Sequence, residues 1–213
     1  MKVLIFGATG AAGLLTVQSA LKRGHDVTVF ARNPAKLSIS NARLQVIQGE
    51  LSDPAAISAA VAGQDAVVSV LGPTKDARGT PLTDGFKSII VAMERHGVPR
   101  LVATSTPAFR QPEDKFVLSF WLGVTMIRLM APQAYRDIVG SAEAISASRL
   151  DWTIVRLPML SHKPHAGPPV AGLLGTPGLK LFSLSRNVMA EFLIEQLTDD
   201  RWIRRAPVIS NSQ

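Results

Sequence analysis

The tightest constraint on the fold is a glycine triplet that closes the first apolar run of the chain. Gly7-Ala8-Thr9-Gly10-Ala11-Ala12-Gly13 follows the apolar, β-branched run Lys2–Phe6 and precedes residues 14–23, whose apolar positions recur at helical spacing. A strand, a glycine turn and a helix in that order supply a tight turn, a backbone open to close approach and free N–H groups at a helix N-terminus. These are the requirements for holding a pyrophosphate. The spacing here is G-x-x-G-x-x-G rather than G-x-G-x-x-G, so the strand-and-helix context carries the reading. The plain alternative is a turn that only packs helix on strand.

The rhythm continues downstream. Residues 27–30, 44–48, 65–71, 100–104 and 151–156 read as strands, and residues 54–62, 82–96, 134–148 and 187–197 as helices. Asp53 and Pro54 suit an N-cap and a first helical position. Apolar strands separated by helices predict an α/β fold, a Rossmann-type doubly wound parallel sheet with helices on both faces. With 213 residues, the whole of 1–213 is expected to be one NAD(P)-binding domain with a small C-terminal substrate region. Two segments break the rhythm: residues 116–130 are almost wholly apolar, and residues 161–178, rich in Pro and Gly, read as a loop. Both follow strands at the end where open α/β sheets bind ligands, so segments of about 107–133 and 158–186 are expected on the substrate side.

The end of the second strand separates two cofactors. An NAD site places an acid there for the ribose 2′-hydroxyl; this chain has Phe30-Ala31-Arg32-Asn33-Pro34-Ala35-Lys36. Arg32 can grip a 2′-phosphate bidentately and stack on adenine, and Lys36 adds charge one turn on. NADP(H) is therefore preferred, with NAD(H) as the alternative and a solvated basic loop as the plain reading.

Composition excludes more than it selects. Without cysteine there is no disulfide, thiolate metal site or cysteine nucleophile, which fits a cytoplasmic protein without proving one. The net charge of +7 is scattered, with no basic and aromatic stretch suited to nucleic acid. His162 and His165 lack a nearby acid, so no metal site is expected. Asp53 reads as a cap rather than a base, and Ser105 lacks the G-x-S-x-G elbow of a hydrolase. Residues 116–130 fall short of the ~20 needed to cross a bilayer, and Arg128 lies within them, so no transmembrane segment is expected. That stretch reads as a wall of the substrate pocket around Trp121, with part of its surface available for self-association. Phe109 is expected in the same pocket.

Several runs together resemble the atypical short-chain dehydrogenases/reductases, in particular the NAD(P)H-binding family that holds biliverdin/flavin reductases and NmrA-like sensors. They are residues 7–13; Val61-Ala62-Gly63-Gln64-Asp65-Ala66-Val67 leading to Leu71-Gly72; Val102-Ala103-Thr104-Ser105-Thr106; Leu150-Asp151-Trp152-Thr153-Ile154-Val155-Arg156-Leu157-Pro158; and Ser185-Arg186-Asn187-Val188. The resemblance implies pyrophosphate at Gly7, Thr9, Gly10, Ala11 and Ala12 beside Gly13, the 2′-phosphate at Arg32, and adenine near Glu50 and Leu51. It further implies that Leu71 and Gly72 line the ribose, that Thr104, Ser105 and Thr106 flank the nicotinamide, and that Leu157 and Pro158 close over it.

The chain departs from the family at Tyr135, its only tyrosine. Short-chain dehydrogenases commonly use Tyr-x-x-x-Lys, in which the cation favours the tyrosinate. Here Val139 stands in the lysine position. Thr106 and Tyr135 are the expected proton donors, with an ordinary helix residue as the plain reading of Tyr135. The function expected is an NADPH-dependent reductase passing hydride to a small apolar, aromatic or flavin/quinone-like acceptor. Loss of the lysine keeps open a non-catalytic redox sensor of the NmrA-like kind, and an NAD(P)-dependent isomerase or epimerase is the third reading.

Overall fold

The structure is a computed structural model that describes residues 1–73, 79–180 and 184–212. Its first half follows the expected alternation. Strand β1 (Lys2–Phe6) leads to α1 (Ala11–Lys22), β2 (Asp26–Ala31), β3 (Leu44–Gln48), α2 (Pro54–Val61), β4 (Ala66–Ser69), α3 (Pro81–His96) and β5 (Arg100–Ser105). Two helices then come in succession, α4 (Leu118–Met130) and α5 (Pro132–Ser146), followed by β6 (Asp151–Arg156). The C-terminal part holds β7 (Leu160–Ser161), β8 (Pro169–Gly172), β9 (Leu184–Ser185), α6 (Arg186–Glu195) and β10 (Val208–Asn211).

The main sheet has the order β3-β2-β1-β4-β5-β6-β10-β8, parallel throughout except for β8, which runs antiparallel to β10. Its first six strands are in the Rossmann order, with the direction of winding reversing between β1 and β4. Alternate side chains serve opposite layers, as period two requires. Leu4 and Phe6 pack with α2, α3 and α5, while Val3 and Ile5 pack with α1 and α6. Each fully buried Leu, Ile or Phe contributes about 1.5–3 kcal/mol, so this continuous two-sided burial is what makes the strand register costly to shift.

The N-termini of α2 and α3 are closed in different ways. Asp53 Oδ1 accepts the N–H groups of Ala55 and Ala56, both at 3.0 Å, and Pro54 begins α2. The N-terminus of α3 is closed from a distance: Thr80 makes no side-chain cap, and the buried carboxylate of Asp137 on α5 accepts from Leu82 N (3.0 Å), Thr83 N (2.8 Å) and Thr83 Oγ1 (2.8 Å).

Two expectations about the C-terminal third change. The segment 161–178 is not all loop, because Pro169–Gly172 becomes β8 and extends the main sheet. Pro169 opens that edge strand, a position where a missing N–H is tolerated. Its partner β10, unforeseen in the sequence, is only four residues long and pairs with β6 at Val208↔Arg156. Strands this short carry too little alternation to read. The remaining short strands, β7 and β9, form a separate parallel pair just past β6.

Candidate functional site

The first element of the site is the turn between β1 and α1. Gly7 has φ of 80°, and a Cβ there would lie 2.7 Å from the Val70 carbonyl oxygen. At Gly13 a Cβ would collide with the Gly7 carbonyl oxygen and the Ala8 backbone. These two glycines are required by packing. Gly10 differs: a Cβ there would meet only the Gly7 oxygen, at an ordinary 3.7 Å. It faces open space at the N-cap of α1, whose first-turn N–H groups on Ala11, Ala12 and Gly13 have no helical acceptor. No acidic side chain lies in that first turn. The cradle therefore fits a pyrophosphate: backbone donors, the positive end of a helix dipole, and an approach that only hydrogen keeps clear.

The sheet brings further expected residues to the same edge. Phe6 is level with Ser69 and Val70 N donates to Phe6 O at 3.0 Å, so Leu71 and Gly72 follow directly beside Gly7. Ser105 is level with Arg156, and Leu157 N donates to Ser105 O at 2.9 Å. Thr104, Ser105, Thr106, Leu157 and Pro158 thus end two neighbouring strands at the edge that carries the glycine turn. Among the described residues the hydroxyls of Ser69 and Ser105 are buried there without a hydrogen-bond partner, and an unmatched buried hydroxyl costs about 1–3 kcal/mol. Thr106 Oγ1 accepts from Ala108 N at 3.3 Å, which leaves its proton to donate elsewhere.

On the far side of the turn, Arg32 is exposed at the end of β2, and Lys36 is exposed in the 3-10 turn Pro34–Lys36. Among the described residues neither has an acidic partner. Gly49 N donates to Ala31 O at 3.2 Å, which sets Glu50 and Leu51 beside the β2 end. Glu50 is exposed, whereas Leu51 packs on the core and presses against Gly85.

The residues expected around the acceptor divide. Phe109 is 8% exposed and belongs to the core layer under α3 and α5, so its ring is a support rather than an open wall. Trp121 lies on α4, is 47% exposed and contacts Phe116 at 6.4 Å between ring centroids. Tyr135 is half-buried in the first turn of α5. The Arg128 guanidinium lies over its ring, 5.9 Å from the centroid, so a cation does approach this tyrosine, though at the ring face. Among the described residues, no cluster of three or more His, Asp or Glu is arranged to hold a metal.

Three residues without an expected role, Arg156, Asp114 and Asn187, hold this edge together. Arg156, the last residue of the Asp-Trp-Thr-Ile-Val-Arg run, is wholly buried and meets Asp114 with two hydrogen bonds. It also donates to Ala206 O (2.7 Å) and Phe109 O (3.1 Å), while Asp114 accepts from Gln111 N (2.8 Å) and Leu174 N (3.0 Å). Burial by itself would raise the Asp114 pKa. The Arg156 hydrogen bond, the two backbone donors and the Arg156 charge outweigh it and hold the carboxyl below its usual value. Asn187 accepts from His165 N and donates to His165 O at 2.9 Å, pinning the stretch after β7 to α6. A buried arginine at the end of an apolar strand was the one sequence signal for such an anchor.

Comparison with known proteins accords with this geometry. Residues 7–200 match the family described as NAD(P)H-binding. A (4-alkanoyl-5-oxo-2,5-dihydrofuran-3-yl)methyl phosphate reductase of Streptomyces griseus is 30% identical over 154 residues, 72% of this chain and 46% of that protein. The chain spans less than half the length of the curated relatives it matches first (34%, 46% and 31%). A Rossmann-fold NAD(P)-binding family protein from Shigella flexneri superposes with a TM-score of 0.74 at 26% identity, over 99% of this chain and 93% of the other. ChuY, an anaerobilin reductase from Escherichia coli O157:H7, shares the fold with a TM-score of 0.79 at 17% identity, over 99% and 97% of the two chains.

Proposed function

The chain belongs to the NAD(P)H-binding family, and on that premise we propose that it is an NADPH-dependent reductase of a small apolar, aromatic or flavin/quinone-like acceptor. The observation that carries this reading is the cradle at Gly10, open where Gly7 and Gly13 are closed, at the sheet edge where Thr104–Thr106 and Leu157–Pro158 end. In this reading residues 1–213 act as one NAD(P)-binding unit, with the segments about 107–133 and 158–186 on the acceptor side. Reductase names among the relatives support the reaction class.

Gly7, Thr9, Gly10, Ala11 and Ala12 would hold the pyrophosphate. Arg32 and Lys36 would hold the 2′-phosphate, Glu50 and Leu51 the adenine side, and Leu71 and Gly72 the ribose. The bound cofactor supplies a hydride. The residues of the chain supply position: the unmatched Ser105 hydroxyl anchors the nicotinamide side with Thr104, and Leu157 and Pro158 exclude water. The Thr106 hydroxyl, whose proton is free, and the Tyr135 hydroxyl are the donors available to the reduced acceptor.

One observation favours a second reading. Val139 in place of lysine removes the usual partner of the tyrosine, as suits a sensor that binds NADP(H) without consuming it. Loss of reduced-nicotinamide absorbance across a panel of flavin, quinone and dye acceptors separates the two. Steady NADPH consumption with at least one acceptor is expected. Tight NADPH binding with no turnover on any acceptor would establish the sensor instead.

A further inference from the structure

Helix α4 is turned the wrong way round for a soluble surface. Leu118, Leu122, Met126 and Met130 recur every fourth residue and so share one face. That face points outward, with the four side chains 57%, 53%, 61% and 79% exposed. Trp121 flanks it. The opposite face rests on the molecule through Phe120, which packs against Leu174 and Val208. An apolar stripe this long, left open to water along a helix of about 20 Å, marks an interaction surface. No helix of the described residues is long and apolar enough to cross a membrane, so α4 would lie on a surface rather than span one.

Charge selects the partner. From 115 to 136 the chain carries Lys115, Arg128 and Arg136 and no acid. The acids that bracket it, Asp114 and Asp137, are buried and hydrogen-bonded, and Glu113 faces Arg205 at 3.9 Å. A two-fold pairing of α4 with a second copy would bring these cations toward their own equivalents, on a chain of net charge +7. An apolar helix face on a stretch of chain whose exposed charges from 115 to 136 are all cations matches the headgroup and acyl boundary of an anionic bilayer.

We propose that α4 docks the protein on an anionic lipid surface, with Leu118, Trp121, Leu122, Met126 and Met130 in the acyl boundary and Lys115, Arg128 and Arg136 on the headgroups. Because α4 lies in the connection from the C-terminal end of β5 to α5, docking sets the acceptor side of the sheet against the bilayer. This deepens the proposed function by naming where an apolar acceptor comes from, and it rests on that reading only for the acceptor. The docking itself is independent of turnover.

The test is co-sedimentation of the full chain with phosphatidylcholine vesicles, with and without about 30% phosphatidylglycerol. Binding is expected only with the anionic lipid, weakened by salt, and with a blue shift of tryptophan emission that Trp121→Phe removes. Leu122→Ser combined with Met126→Ser should weaken partitioning about tenfold or more, while the thermal melt and NADPH affinity by calorimetry stay at the parent values. Absence of vesicle binding at low salt would overturn the docking, as would undiminished binding of the double variant. A concentration-dependent dimer that the double variant abolishes, without vesicle binding, would assign the face to a second copy. NADPH binding and turnover are read separately, so a failed docking leaves the reductase reading standing and a failed turnover leaves the docking standing.

Discussion

The Arg156 guanidinium and the Asp114 carboxylate meet at 2.5 and 2.9 Å with both side chains closed to solvent. Through this pair the end of β6 holds the chain after β5, and Leu174 N adds the stretch after β8. The pair therefore ties together three stretches of chain that meet at one edge of the sheet. Removing one partner would strand a buried charge, which costs about 3–5 kcal/mol. Asp114→Ala should lower the urea midpoint accordingly, and a midpoint within error of the parent would show the pair to be dispensable.

The same pair gives a pH signature. The folded pKa of Asp114 lies below its unfolded value, so its contribution is complete above the ordinary aspartate range near ~3.9. It is lost as the pH falls through the lowered folded value. Urea melts of the parent and of Asp114→Asn should differ by a constant margin from pH 7 to 5, and the margin should close only below about pH 4. A margin that closes already at neutral pH would assign the acid sensitivity to another group.

Gly10 and Gly13 should separate binding from folding. Gly10→Val adds atoms in open space and should leave the thermal melt near the parent value while abolishing NADPH and NADH binding in calorimetry. Gly13→Ala drives a Cβ into the Gly7 carbonyl and should lower stability by about 1–3 kcal/mol. Normal NADPH affinity in Gly10→Val would reduce the turn to a packing device.

Arg32→Ala tests the preference between cofactors. It should weaken NADPH by roughly ten- to a hundredfold, as loss of a charge-assisted hydrogen bond implies, and NADH far less. The assignment fails if the parent protein binds both cofactors equally in titration calorimetry.

Proton supply can be read from two hydroxyl deletions. Tyr135→Phe should reduce turnover modestly, well short of the ~10²–10⁴-fold of a lost general acid, because no lysine follows it in the helix. Thr106→Ala should cost at least as much. Near-complete loss in Tyr135→Phe with NADPH affinity intact would promote Arg128, which lies over the tyrosine ring, to the role of the missing cation.

What the sequence determined by itself is what local forces set. Strands β1, β2, β4, β5 and β6 are legible because both faces are buried, and a run such as Val3-Leu4-Ile5-Phe6 has no stable place but between two layers. The Asp53 cap and the tight turn at Gly7 follow from backbone chemistry a few residues long. Even the sheet edge that carries the glycine turn is largely written there, because strand ends and glycine turns locate it without knowledge of side-chain contacts. Tertiary structure decided everything that depends on partners far apart in the chain. Asp137 reads as an ordinary helix residue until α5 is laid beside α3, where it meets donors 54 and 55 positions away. Arg156 becomes an anchor only when Asp114, 42 residues before it, is folded under β6. Pro169–Gly172 becomes a strand only because β10 offers an edge. The apolar run 116–130 shows the limit most directly. Its composition predicts an apolar wall with part of its surface left for self-association, yet hydrophobicity does not say which surface covers a helix, and the fold seats α4 on Phe120 and leaves its longer apolar stripe facing outward.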